Sequence, residues 1–151
     1  MAAGDAICRN LAQAANLMDA ASYKVYLADG AHPADRFQYG GPWQRLDGVR
    51  FADNFIQVRS GYASAPLNVT ETGTYVLNSS MYAWTGINID GQVAAQTCRH
   101  WTQPLAAAWA SRLDAVGPTW PPAYMEPVQC TGLNKLYCLF DSDLLFHAGM
   151  E

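Results

Sequence analysis

The 151 residues are half hydrophobic, 15% charged and 12% aromatic, with a formal net charge of −4 at pH 7. That balance excludes a disordered chain, and no apolar run approaches the roughly 18 residues of a membrane span. At this acidic charge a nucleic-acid footprint is not expected, and the length suits one domain burying about 70% of its unfolded surface.

Residues 5–18 read as an amphipathic helix, with Ile7, Leu11, Ala15 and Met18 on its inner face and Asp5 placed to cap its start. Cys8 lies one turn in, beside that stripe. Tyr23-Lys24-Val25-Tyr26-Leu27 is a strand signal, and residues 28–43 form a loop punctuated by Asp29-Gly30, His32-Pro33 and Gly40-Gly41-Pro42. Residues 45–50 predict a hairpin in which Asp47-Gly48 supplies a type I′ turn. A short helix over 52–59 would turn Phe55 and Val58 inward. Beyond Pro66, residues 67–70, 74–77 and 82–85 are strand-like, Asp90-Gly91 marks a tight turn, and a strand-like stretch carries Cys98 to near Trp101. Residues 103–127 hold five of the eight prolines, so a short helix at 104–113 and irregular chain pinned by Trp109 and Trp120 are expected. Residues 135–140 close the domain as a strand. No repeat, low-complexity tract or charged linker divides the chain, which reads as one domain over 1–151 with 141–151 as a C-terminal tail.

Four cysteines, Cys8, Cys98, Cys130 and Cys138, fit two disulfides in any of three connectivities. A zinc site is the alternative, although no Cys-x-x-Cys pair occurs and Cys130 and Cys138 are too far apart for a zinc knuckle. Disulfides imply an oxidising compartment, hence a secreted or cell-surface protein. Met1-Ala2-Ala3 lacks the apolar stretch of a secretory signal, and a leader already removed is the expectation.

Several short motifs occur in a telling order. Asp5-Ala6-Ile7-Cys8 is followed by residues 23–27, Ala34-Asp35-Arg36-Phe37, Leu46-Asp47-Gly48 and Ala52-Asp53-Asn54-Phe55. Then come Asn68-Val69-Thr70-Glu71-Thr72-Gly73, Trp84-Thr85-Gly86, Asp90-Gly91, Cys98-Arg99-His100-Trp101-Thr102 and Leu136-Tyr137-Cys138. In this the chain resembles a bacterial secreted-protein domain of unknown function, related in fold to endostatin and the C-type-lectin-like domains. The resemblance covers roughly residues 5–140 and implies an α+β, C-type-lectin-like (endostatin-like) fold. Such a fold has a small twisted antiparallel sheet, two flanking helices and long loops. It also implies the pairings Cys8–Cys138 and Cys98–Cys130.

The family's functional sites transfer poorly. The carboxylate–amide triplets that calcium-binding lectins need are missing before Cys98, and Glu126-Pro127-Val128 before Cys130 lacks the amide. Endostatin's histidine cluster has no counterpart, since His32, His100 and His147 are isolated. Arg36, Arg45, Arg50 and Arg59 are interleaved with Asp35, Asp47 and Asp53, which favours internal ion pairs over an anion patch. Asn88-Ile89-Asp90-Gly91 reads as a side-chain-bonded turn rather than a cation site. Asp141-Ser142-Asp143 could serve as part of a carboxylate pair or cation site, and solvated acids are the simpler reading. No nucleophile-elbow, zincin or phosphate-loop motif occurs.

The expectation is therefore a calcium-independent, non-catalytic binding module without cofactor or metal. Trp109, Trp120 and Tyr124 would be displayed from the Cys98–Cys130 segment to a glycan or extracellular protein, because flat aromatic faces suit both partners. The alternative is a structural subunit of an extracellular or cell-surface assembly. There the apolar run Leu144-Leu145-Phe146 would make the contact, giving a homo-oligomer. Neither reading involves nucleic acid or membrane insertion.

Overall fold

The computed structural model describes residues 1–78, 81–118, 120, 126–132 and 134–142. The first helix, α1 (Ala2–Ala14), starts and stops earlier than its periodicity predicts. Asn16 ends it by taking φ 55°, so that its N–H donates to the Gln13 carbonyl at 3.0 Å and the Leu17 N–H reaches Ala12 at 2.9 Å. This is a Schellman closure on an asparagine, which tolerates the left-handed region better than most side chains. Asp5 does not cap α1. It lies inside the helix, and its carboxylate accepts from the Val25 N–H at 3.0 Å and from Arg36 at 2.5 Å.

The buried face of α1 is rotated from the prediction. Cys8 and Ala12 are buried, whereas Ile7, Leu11 and Met18, just past the helix end, are 47%, 39% and 51% exposed. Gly4 gives the reason: a Cβ there would stand 2.8 Å from Val25 Cγ1. Gly4, Cys8 and Ala12 form an i, i+4, i+8 stripe of small residues that lets the helix lie close on β1 (Tyr23–Val25).

β1 pairs antiparallel with β9 (Cys138–Phe140), Val25 opposite Cys138. The chain past β1 continues the ladder, with Tyr26 N–H donating to Tyr137 and Ala28 N–H to Thr85, each at 2.8 Å. The terminal strand is interrupted at Tyr137. Its first part, β8 (Lys135–Leu136), runs parallel to β4 (Tyr82–Trp84), which pairs antiparallel with β6 (Ala110–Arg112). Two further antiparallel pairs join β2 (Trp43–Gln44) to β3 (Arg50–Ala52) and β5 (Ala107–Ala108) to β7 (Val128–Gln129). The architecture among the described residues is thus α+β with four small sheets instead of one. β5 and β6 replace the helix predicted at 104–113. Alanine favours helix, but pairing with β4 and β7 buries Ala108, Ala110 and Ser111, and packing overrides propensity.

The Asp47-Gly48 hairpin forms by a different closure. Arg45 N–H donates to Val49 and Gly48 N–H to Arg45, both at 2.9 Å, and only Gly48 of the three loop residues takes positive φ. That is a three-residue loop with a glycine bulge rather than a type I′ turn. The predicted short helix is α2 (Phe55–Ser60), capped by the Asn54 side chain on Gln57 N–H at 3.1 Å and stopped by Gly61 at φ 72°. Residues 67–77 fold back as a hairpin through a bridge between Val69 and Tyr75.

The stretch from Cys98 departs furthest from expectation. Cys98, Arg99, His100 and Trp101 make one helical turn with φ of 50°, 49°, 58° and 61° instead of a strand. Trp101 N–H donates to Thr97 at 2.8 Å and Thr102 N–H to Cys98 at 3.1 Å. The left-handed form costs each non-glycine residue about 1–2 kcal/mol, so the surroundings must impose it.

Two apolar clusters fill the interior. The larger gathers Tyr26, Trp43, Phe51, Trp120, Tyr137 and Leu139, and the smaller centres on Cys8, Val25, Leu27, Trp84 and Cys98. Disulfides join Cys8 to Cys138, tying α1 to β9, and Cys98 to Cys130, tying the left-handed turn to the chain after β7.

Candidate functional site: an apolar groove beside the first helix

The aromatic residues expected to meet a ligand are core residues. Trp120 is 0% exposed, with ring centroids 5.1 Å from Tyr26, 5.9 Å from Tyr137 and 6.2 Å from Phe51. Trp109 is 9% exposed, and its indole N–H points to Gln96 Oε1 at 3.4 Å. The assignment of both as displayed contacts is corrected: their large apolar faces do more for this small core than they could at the surface. Tyr124, Leu144, Leu145 and Phe146 lie outside the described residues, as do Asp143 and His147.

The charged candidates are mostly paired internally. Arg36 meets Asp5, Arg45 meets Asp47, Arg50 meets Asp53 and Arg59 meets Asp35. Asp141, at the end of β9, is a buried anchor. Its carboxylate accepts from the Gln38 and Tyr39 N–H groups, each at 2.8 Å, and from Lys24 at 2.5 Å. Asn88 closes its turn by itself, its Oδ1 accepting from Asp90 N–H at 3.1 Å and Gln92 N–H at 2.9 Å. His32 Nδ1 accepts from Ala34 N–H at 3.2 Å, and burial, helped by Arg59, holds its pKa down at about 4. His100 Nδ1 lies 2.6 Å from Asp29 Oδ1. Among the described residues no group of three or more His, Cys, Asp or Glu could hold a metal ion.

What the fold does build is a groove of about 810 Å³. Its lining draws Ile7, Leu11 and Met18 from α1 and its exit, and Leu46, Leu67 and Val76 from the two hairpins. The chain from Lys135 to Phe140 also lines it, as do the bridged Cys8 and Cys138. The hairpin side is fastened by Arg45. Its guanidinium donates to Asp47, to the Pro66 carbonyl at 2.9 Å and to Asn68 Oδ1 at 3.1 Å, and lies 5.7 Å from the Tyr75 ring centroid. Tyr75 in turn donates its hydroxyl to Asp47 at 2.6 Å. Arg45 first, then Tyr75, holds the Asp47 carboxyl well below the usual carboxylate range.

β8 is an edge strand and β9 belongs to a two-stranded sheet, so each has one side without a neighbouring strand among the described residues. An extended partner can pair with such an edge while its side chains enter an adjoining pocket. The groove escaped sequence reading because its lining uses the very stripe assigned to the core. The signal that could have found it was the small-residue stripe Gly4-Cys8-Ala12, which competes with Ile7 and Leu11 for the sheet.

No protein-family model and no curated protein sequence matches the chain. None of the helices among the described residues is long and apolar enough to cross a membrane.

Proposed function

We propose that the chain is a non-catalytic, calcium-independent binding module of the extracellular space or cell surface, built on a C-type-lectin-like scaffold. Its ligand face is the groove beside α1, and its ligand is an extended apolar segment of a protein. The observation that carries this reading is the exposure of Ile7, Leu11 and Met18 in the lining of a large apolar groove. Contiguous exposed apolar surface of this kind marks interaction sites, and methionine adapts to varied partners. An apolar segment suits it better than a glycan, because aliphatic, methionine and aromatic side chains outnumber the polar ones, such as Arg45, Asn68, Glu71 and Lys135, in its lining. The two disulfides support an oxidising compartment.

The test compares retention on arrays of apolar hexapeptides and of glycans, for the native chain and a Leu11→Glu/Met18→Glu variant. Capture by apolar peptides that the variant loses supports the reading. Capture by glycans that the variant keeps overturns it. Solution mass measured alongside separates a foreign partner from a second copy: concentration-dependent association lost on deleting residues 143–151 would put the structural-subunit reading, with Leu144, Leu145 and Phe146 as the contact, in its place.

A further inference from the structure

The left-handed turn at Cys98–Trp101 is held in place from several directions. On one side Thr97 is bridged to Ala108, and its hydroxyl accepts from His100 N–H at 3.4 Å. On another, the Trp101 indole N–H donates to the Ala28 carbonyl at 2.8 Å, and its ring fits a notch at Gly86, where a Cβ would come within 3.1 Å of it. His100 reaches Asp29 from an exposed position. Thr102 Oγ1 donates to the Arg99 carbonyl at 2.6 Å, and a covalent restraint is added by the bond from Cys98 to Cys130, whose own N–H donates to Ala106 at 2.9 Å. Four consecutive non-glycine residues thus take an unfavourable conformation at one end of that bond. Cys8, by contrast, sits in an ordinary right-handed helix, and neither it nor Cys138 takes positive φ.

We propose that Cys98–Cys130 is a redox-labile clamp, and that thiol–disulfide exchange with a dithiol releases the left-handed turn while the rest of the fold stays closed. Cys98 is buried and Cys130 half-buried, which directs attack to the Cys130 sulfur. A thiolate of the dithiol bonds to Cys130 Sγ, the Cys98–Cys130 bond breaks, and Cys98 leaves as a thiolate and takes up a proton. The second thiol of the reductant, as thiolate, then attacks the mixed disulfide and expels the Cys130 thiolate, which is protonated. The dithiol ends as a disulfide, having delivered two electrons. Once free, residues 98–101 relax toward conformations that L residues prefer, His100 leaves Asp29, and β5 and β7 lose their tether. Cys8–Cys138 still ties α1 to β9, and the larger apolar cluster, which contains neither Cys98 nor Cys130, still holds the hairpin side of the groove. Bridges that release strain on reduction are the labile ones in their class. This inference does not depend on what the groove binds.

The experiment equilibrates the native chain with graded ratios of reduced to oxidised dithiothreitol, traps free thiols with iodoacetamide and maps alkylation by peptide mass. Cys98 and Cys130 are expected to become alkylated at a reducing ratio at least about tenfold lower than Cys8 and Cys138, since one strained residue already accounts for about that factor. A second arm uses Arg99→Gly. Among the described residues the Arg99 guanidinium is in no ion pair, and glycine takes φ of 49° without steric cost. The variant should shift reduction of Cys98–Cys130 about tenfold toward more reducing conditions and leave Cys8–Cys138 where it was. Reduction of both bridges together, or an Arg99→Gly bridge reduced as easily as the native one, overturns the proposal.

Discussion

Trp120 and Tyr26 pack with ring centroids 5.1 Å apart and an interplanar angle of 34°, and neither is exposed to solvent. The contact ties the long Cys98–Cys130 segment to the chain that follows β1, so Trp120 acts on folding. Trp120→Ala is expected to cost about 3–5 kcal/mol, the range for emptying a buried indole site. Denaturant unfolding checks this. A variant of native stability would return Trp120 to the list of surface contacts.

Gly4 against Val25 sets the face that α1 buries, and a large residue there tests this directly. A Cβ at Gly4 already stands 2.8 Å from Val25 Cγ1. Gly4→Leu should therefore push the helix off β1 and lower stability by about 1–3 kcal/mol, the usual cost of overpacking. Ile7→Gln, on the exposed side, should change stability by less than about 0.5 kcal/mol. Melting temperatures of the two variants give the comparison, and equal losses would show that the helix buries both faces.

The same helix marks what the sequence could and could not tell. Its existence was legible from apolar spacing. So were a short helix near 52–59, from the inward face of Phe55 and Val58, and a hairpin at Gly48, although the bounds at Asn54 and Gly61 and the turn closure were not. The buried face of α1 was not legible. Periodicity weighs side chains by hydrophobicity, whereas close helix–sheet approach selects small ones, so Cys8 and Ala12 went inside ahead of Ile7 and Leu11. The left-handed turn at Cys98 and the strands at 107–112 were illegible for a related reason: both oppose local propensity and exist through contacts distant in sequence. The ion pairing of Arg36, Arg45, Arg50 and Arg59 was readable in outline from the interleaved aspartates, though not the choice of Asp5 as the partner of Arg36. The groove is assembled from α1, two hairpins and the last strand, and its one local trace is the small-residue stripe Gly4-Cys8-Ala12.

The turn at Asn88 predicts indifference to calcium. Asn88 Oδ1 already accepts two backbone N–H groups, and Gly91 N–H donates to the Asn88 carbonyl at 3.0 Å. With its lone pairs so engaged, Asn88 gives up local bonds if it turns to a cation. Millimolar calcium should leave the melting temperature unchanged, because a ligand stabilises only what it binds. Asn88→Ala should lower stability by about 1 kcal/mol through the lost side-chain bonds. A calcium-dependent rise in melting temperature that Asn88→Ala abolishes would establish a cation site there.

His32 predicts a specific weakening in mild acid. Its Nδ1 accepts from Ala34 N–H at the start of the Pro33–Arg36 turn, and its ring stands edge-on to Tyr26 with centroids 6.3 Å apart. Burial, and secondarily the Arg59 guanidinium, depress its pKa from 6.5 to about 4. The unfolded chain takes up the proton near 6.5 while the folded chain resists until about 4, so between those values the unfolded state binds more protons. Stability should be complete above 6.5, fall as the pH drops toward 4, and lose nothing further from this group below that. The window also separates His32 from the carboxylates, since the depressed groups Asp47 and Asp114 lose their contribution only as the pH falls below 3.8. His32→Asn keeps an acceptor for Ala34 N–H and removes the titration. Urea unfolding across the window should show a slope in the native chain that the variant flattens, and an unchanged slope would mean that His32 titrates alike in both states.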